Sequence, residues 1–474
     1  MSDTSTPTVP YDLRLTGARA MLPGVGLSEV DICVRDGRVA AIVSRDDTAT
    51  AGETVDLTGR VILPGAIDAH VHLGKNIAAP EEPIDASAET ASAVAGGMTT
   101  ILAYLIGPGP YETPFANAVK VMEQYSHTDF GFHFCIVTQD QIEALPSYVA
   151  DLGVSSFKFF MNFRGEEGAY LGVPGADDSF MYDLLSIAVK SGAMINAHAE
   201  NVELIWRLRK DVPKTPDAGL VGWNATRPPF VEAEASQRVA YLARVLGASY
   251  YGVHVSSGEA LDALSGRKAE YENIFLETCP HYLTLDTSSP MGSRAKVNPP
   301  VRPEGNQDAL WEGVRDGRID TIGSDHVPRH FTAKDKDIWS ASAGFPGSGT
   351  LLPTMISEAH LRRGIPLERI VELTSTRPAQ LFGLYPRKGQ IAVGSDADFA
   401  VVDMNGHYTI TAATQHSAAE YSVWEGKEVD CRITDTIIRG QFAVRDGVLQ
   451  PAIGAAYLPR AHSGEAALKA AGLR

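Results

Sequence analysis

The sequence predicts an α/β fold: a (β/α)8 TIM barrel carrying a small β-sandwich domain formed by the N- and C-terminal segments. Three observations predict it. Between residues 64 and 384, eight short apolar runs alternate with longer stretches of helical period. Residues 1–63 and 385–474 instead read as short strands joined by tight turns. Neither end piece has enough sequence for a good core alone, so the two are expected to pack together, with a C-terminal tail beyond them.

The elements follow in order. "DICVRDGRVAAIVS" sets an Asp-Gly turn between two alternating apolar runs, the signal of a hairpin. The barrel runs are "AIDAHVH" (66–72), "TTILAYL" (99–105), "GFHFCIVT" (131–138), "SSFKFFM" (155–161), "MINAHAE" (194–200), "YYGVHVS" (250–256), "NIFLETCP" (273–280) and "DTIGSDHV" (320–327). Helical stretches lie between them, for example "VEAEASQRVAYLARVLG" (231–247), and residues 344–353 read as a loop. "DADFAVVDM" and "TIIRGQFAVRDGVL", with its Asp446-Gly447 turn, return to strand grammar.

Composition narrows the function. The chain has 474 residues, 44% hydrophobic and 21% charged, as in ordinary globular proteins. Its 58 acidic against 41 basic residues give a net charge of -17, which disfavours a nucleic-acid or anionic-membrane partner. Cys33, Cys135, Cys279 and Cys431 are far apart, which speaks against a disulfide scaffold or a zinc ribbon. "MSDTSTPTVP" is no signal peptide, and no apolar run is long enough to span a membrane. A cytoplasmic location is expected.

In such barrels the chemistry sits at the C-terminal ends of the strands. His70 and His72 end the first run, and residues two apart in a strand share a face. Two imidazoles aimed at one point suit a metal ion, although alone they could equally be core histidines. Lys158 interrupts the fourth run, His198 and His254 end the fifth and sixth, and Asp325 ends the eighth. Singly, each has a bland reading: a snorkelling lysine, hydrogen-bonded core histidines, a helix-capping aspartate. Their joint placement at one barrel mouth favours metal ligation. A lysine between Phe157 and Phe159 is costly to keep charged. A neutral amine can add carbon dioxide, and the resulting carbamate can bridge two divalent ions.

These residues resemble the amidohydrolase superfamily, specifically the binuclear cyclic amidohydrolases: hydantoinase, dihydropyrimidinase, allantoinase and dihydroorotase. The resemblance covers nearly the whole chain, through "PGAIDAHVH", "FKFFM", "NAHAEN", "VHVSS", "ETCPHYL", "KVNPPVR", "GSDHVP", "STRPAQLFGL" and "KGQIAVGSDADFAVVD". It implies that His70, His72 and Asp325 hold one ion, that His198 and His254 hold the other, and that carbamylated Lys158 bridges them. It also implies that Asp325 is the catalytic proton carrier. Two divalent metal ions, zinc by preference, a small cyclic amide substrate and a homodimer or homotetramer follow from the same resemblance.

Departures from the family bear on the substrate. Dihydroorotases usually carry an arginine where this chain has Gly74. Hydantoinases and dihydropyrimidinases carry a tyrosine where it has Phe163, and a phenyl ring donates no hydrogen bond. His281 stands where hydantoinases often have Gln, and Gly349 where many relatives have Glu. Asn298 matches the segment that grips the substrate's amide edge, and Asn162 and Arg164 are further candidate contacts. The reading is hydrolytic opening of a hydantoin-like, allantoin-like or related cyclic amide or imide. Dihydroorotase or dihydropyrimidinase activity is the alternative. A non-enzymatic scaffold related to dihydropyrimidinase is disfavoured by the six intact ligand positions, and a mononuclear deaminase by Lys158.

Overall fold

The structure, a computed structural model, describes residues 10–74, 77–165, 168 and 175–474. Eight strands form one parallel sheet in strict chain order: Ala66–His72, Met98–Ile106, Asp129–Cys135, Ser156–Phe160, Met194–His198, Ser249–Gly252, Ile274–Thr278 and Thr321–Ile322. The ring is closed beyond the last strand. The His72 backbone N donates to His326 O at 2.7 Å, and His326 N donates to His70 O at 3.2 Å. Strands covered on both faces need no polar alternation, and every residue of the second strand, "MTTILAYLI", is buried.

Each predicted run overlaps its strand, three of which begin one or two residues earlier. The sixth and eighth stop early, at Gly252 and Ile322, so His254 and Asp325 lie just beyond the strand ends. The cause is local: both adopt left-handed φ, 43° and 50°, which breaks the extended run. The helix Pro229–Leu246 matches its predicted span. It starts on a proline in its first turn and stops at Gly247, whose φ of 76° ends it as a left-handed cap. The 344–353 segment is a correction: Ser348–Thr354 is helical. Its glycines hide the helix in sequence but permit its packing. A Cβ on Gly349 would stand 2.6 Å from Ser92 O, so this turn can approach the helix Pro83–Ala95 only without one.

The chain ends meet in two sheets. One has four strands, all N-terminal: Arg38–Val43, Asp31–Arg35, Tyr11–Thr16 and Ala51–Asp56. The other has seven and mixes both ends, with Val61–Pro64 running antiparallel to Phe399–Asp403 at the seam. Leu15, Ile32, Ile62, Phe399 and Ile437 fill the space between the sheets. Burying each such side chain contributes roughly 1.5–3 kcal/mol. Both Asp-Gly turns form as read, with positive φ at Asp36, Gly37, Asp446 and Gly447.

Two features tie these layers to the barrel. The Lys388 ammonium lies 2.7 Å from Asp129 at the start of the third barrel strand. It also lies 2.6 Å from Asp398 and 3.1 Å from Asp396, which lead into the sandwich. The C-terminal tail then crosses the underside of the barrel. Leu458 N donates to Phe130 O, Ser463 N to Gly192 O and Glu465 N to the Ser249 hydroxyl. Among the described residues no helix is long and apolar enough to cross a membrane.

Candidate metal centre and active site

The first barrel strand carries a bulge. Its register against the second strand shifts between Asp68 and Val71, so Ala69 and His70 stand opposite a single partner. Asp68 braces the bulge. Its carboxylate accepts from His70 N at 3.2 Å, from Ser324 N at 3.1 Å and from the Ser324 hydroxyl at 2.5 Å. This clamps the first strand to the segment that presents Asp325.

His70 Nδ1 lies 2.6 Å from Glu277 Oε1, while its Nε2 lies 3.1 Å from Asp325 Oδ1. His72 Nε2 is 3.6 Å from the same oxygen. One ligand atom from each of His70, His72 and Asp325 falls within 4.8 Å of the others, and all three residues are buried. The rings of His70 and His254 lie 5.4 Å apart, and those of His254 and His198 4.6 Å apart. His198 Nε2 is engaged by Glu200 at 2.7 Å, and Glu200 is in turn held by Arg227 at 3.1 Å. Carboxylates behind two of the imidazoles thus fix which nitrogen each can offer: Nε2 of His70 and Nδ1 of His198. His70 Nε2 faces the Asp325 carboxylate, and His72 Nδ1 and His254 Nδ1 are buried with no hydrogen-bond partner among the described residues. Such atoms are costly unless something binds them. A divalent cation fits this donor set of imidazole and carboxylate.

The electrostatics are consistent with that. Burial would raise the Asp325 carboxyl, but His70, His254 and His72 around it hold it far below the usual carboxylate range. Burial pulls His72, His198 and His254 below the ordinary histidine value, leaving the neutral imidazole a metal needs. Burial also lowers His70, but Glu277 and Asp325 outweigh it and lift the ring to about 8. Glu200 is held down at about 2, because Arg227 and His198 overcome its burial. Lys158 is 1% exposed, its Nζ 4.9 Å from the Tyr104 ring centroid and 5.2 Å from that of Phe160. Burial lowers its pKa, as a reactive amine requires, against the opposing pull of Asp325.

A cavity of about 480 Å³ opens over these groups. His72, Lys158, His198, His254 and Asp325 line its floor, and Asn162, Phe163 and Asn298 line its wall. Both polar atoms of the buried Asn162 side chain lack a partner among the described residues. Phe163 stacks on Phe160 with centroids 4.0 Å apart. Asn298 Oδ1 accepts from Trp223 Nε1 at 3.1 Å. Two candidate contacts need correction. Arg164 does not line the cavity, because its guanidinium pairs with Glu203. His281 does not line it either. It is buried against Tyr282 and Phe345, and burial holds its ring down at about 4. Gly74 has φ 82°, and a Cβ there would strike the Ala79 carbonyl, so no arginine can take its place.

Sequence reasoning missed Asp68, Glu200 and Glu277. The signal was present: each is an acid inside an apolar run, the mark that singled out Lys158.

The amidohydrolase family's sequence pattern matches residues 61–443. The chain is 34% identical over 434 residues to a D-hydantoinase of Geobacillus stearothermophilus, covering 88% of this chain and 90% of that protein. It is 33% identical over 445 residues to an allantoinase of Deinococcus radiodurans, covering 92% and 96%. The solved D-hydantoinase from a Bacillus sp. AR9 superposes with a TM-score of 0.86 at 30% identity, over 96% of this chain and 100% of that one. The dihydropyrimidinase from Brevibacillus agri NCHU1002 superposes at 0.85 and 31%, over 94% and 98%. A closed parallel barrel with buried histidines and an aspartate at its mouth defines a class of hydrolase scaffold. Within that class, this chain belongs to the amidohydrolase family.

Proposed function

We propose that this chain hydrolyses the ring of a small cyclic amide or imide. One observation carries the reading: His72, Lys158, His198, His254 and Asp325 are gathered, buried, at the floor of a single cavity in an amidohydrolase barrel, with His70 buried against Asp325 behind them. His70, His72 and Asp325 would hold one divalent ion, and His198 and His254 a second, with carbamylated Lys158 between them. Zinc suits these ligands. Two such ions, when bound, supply a hydroxide nucleophile near neutral pH.

The chain's own residues do the rest. Lys158, neutral through burial, forms an N–C bond to carbon dioxide and loses a proton, becoming a carbamate anion. Asp325, kept ionised by the imidazoles around it, takes the proton of the attacking water and returns it to the ring nitrogen as the amide C–N bond breaks. Asn162, with both ends of its amide unpartnered, offers one donor and one acceptor to the substrate's amide edge. Asn298, which also lines the cavity, contributes as well.

The preferred substrate is a hydantoin-like, allantoin-like or related cyclic imide or lactam. Phe163 withholds the phenol that would polarise a carbonyl, and Gly74 has no room for a carboxylate-gripping arginine. Dihydropyrimidinase or dihydroorotase activity is therefore the secondary reading. The protein works in the cytoplasm as a dimer or tetramer, without a nucleic-acid or membrane partner. Metal analysis with a substrate panel tests the reading. Close to two divalent ions per chain and turnover of a cyclic amide support it, and a metal-free, inactive protein would favour a scaffold.

A further inference from the structure

Below the metal floor, a second polar group runs through the barrel interior. His133 on the third strand is fully buried, as are Ser156 on the fourth and Arg460 of the C-terminal tail. Arg460 Nη1 donates to Ser156 Oγ at 2.9 Å, and its Nη2 donates to Phe132 O. Ser156 Oγ lies 2.5 Å from His133 Nδ1, and His133 Nε2 lies 3.0 Å from Ala69 O. The bonds can point only one way. A carbonyl only accepts and the ring is neutral, so His133 Nε2 carries the proton given to Ala69 O and Nδ1 accepts from the Ser156 hydroxyl, whose oxygen in turn accepts from the Arg460 guanidinium. Asn196 donates its amide to the Tyr104 hydroxyl at 3.1 Å, and the same nitrogen lies 3.5 Å from His133 Nδ1, a second donor toward that accepting atom. Burial, with the Arg460 charge next, keeps the His133 ring neutral.

The end of this chain is the bulge of the first strand. Ala69 and His70 are the two bulged residues, and a bulge loses regular ladder bonds where it aims a side chain. We propose that His133 is a positioning residue that fixes this bulge through Ala69 O, and that Arg460, reaching in from the tail, holds the Ser156 hydroxyl that supports the ring in that orientation. The tail then belongs to the metal centre although it touches none of the ligands. This inference rests on the reading of His70 as a metal ligand.

The test is zinc retention by the full chain against a competing chelator, read beside kcat and KM and beside melting of the metal-free form. His133→Met removes the donor to Ala69 O and is expected to weaken zinc retention at least about tenfold. Its kcat should fall while KM stays within about threefold. His133→Gln keeps an N–H donor on a side chain of similar reach and should recover most of the lost affinity. Arg460→Met should weaken zinc retention in the same direction, and Arg460→Lys less. Ser156→Ala, which deletes one hydroxyl, carries the test where a larger change prevents folding, and it too should release zinc more readily. Folded His133→Met or Ser156→Ala that holds zinc as the wild type does would overturn the proposal. So would a His133→Gln variant as impaired as His133→Met. A wild-type chain that takes up no zinc would remove the reading of the site itself, and the first titration shows this before any variant is made.

Discussion

His70 and Glu277 meet across the barrel, Nδ1 to Oε1 at 2.6 Å, and Glu277 also accepts from the His254 backbone N at 3.0 Å. One carboxylate therefore braces a histidine from each half of the proposed centre. Glu277→Gln keeps an oxygen for both of these neighbours but loses its charge and the second oxygen, which accepts from the Tyr251 hydroxyl at 2.9 Å. It is expected to lower metal affinity about 10–100-fold, as measured by chelator competition.

Lys158→Ala should lose most bound metal and at least about a hundredfold in activity, a scale set by the loss of the site's nucleophile. Short carboxylic acids added to the medium should restore part of both. Native mass spectrometry of the wild type should show the extra mass of one carbon dioxide adduct, and acidification should remove it.

Asp325→Asn should depress kcat at least about a hundredfold, the usual cost of losing a positioned acid–base group. The ions held by the histidines should largely remain. Comparing turnover and metal content on the same preparation separates the two effects.

On a panel of dihydrouracil, hydantoin, allantoin, dihydroorotate and simple cyclic imides, dihydrouracil and dihydroorotate should be poor substrates. Losing a carbonyl-polarising donor costs about 2.7–4 kcal/mol where nothing replaces it. If either compound has the best kcat/KM by about tenfold or more, on the order of 1.4 kcal/mol, Phe163 or Gly74 has been misread.

Lys388 joins Asp129, Asp396 and Asp398 in a buried cluster. Burial lowers its pKa, but Asp398, Asp129 and Asp396 more than compensate and raise it above the ordinary lysine value. A raised pKa contributes stability that is complete below the unfolded value near 10.4 and fades only as pH rises through the folded one. Lys388→Met strips the buried Asp398 of its cation, while Asp129 and Asp396 keep Arg439 and Arg387, and should cost about 3–5 kcal/mol near neutral pH. Burial already raises the Asp398 carboxyl, so acid protonates it sooner than an ordinary carboxylate, and the cost should be smaller at pH 5 than at pH 8. Urea midpoints at the two pH values measure it.

The barrel was legible because buried parallel strands are written as apolar runs, and any charged residue inside one stands out. Lys158 was found that way. Glu277 in "IFLET" carries the same mark, but its bracing of His70 is a contact between strands that no local pattern encodes. His254 and Asp325 were placed on strands that end before them, since a left-handed turn within "GVHVSS" or "GSDH" leaves no trace in hydrophobic period. Arg164 was grouped with Asn162 by proximity in sequence, and its partner Glu203 could be known only from the fold. The role of Arg460 was invisible for a stronger reason. It depends on Ser156 and His133, residues some three hundred positions away, and no local pattern encodes so distant a contact.

The route of the tail imposes an order on biosynthesis. The first barrel strand leaves the ribosome early, whereas Arg460 follows only when the rest of the barrel and the sandwich have been made. At about 5–20 residues per second, some tens of seconds separate the two. Throughout that interval the nascent barrel holds an interior serine and histidine whose charged partner does not yet exist. Completion of the barrel floor is therefore a late event, and a chain stopped short of Arg460 is a different folding problem from the same chain carried past it.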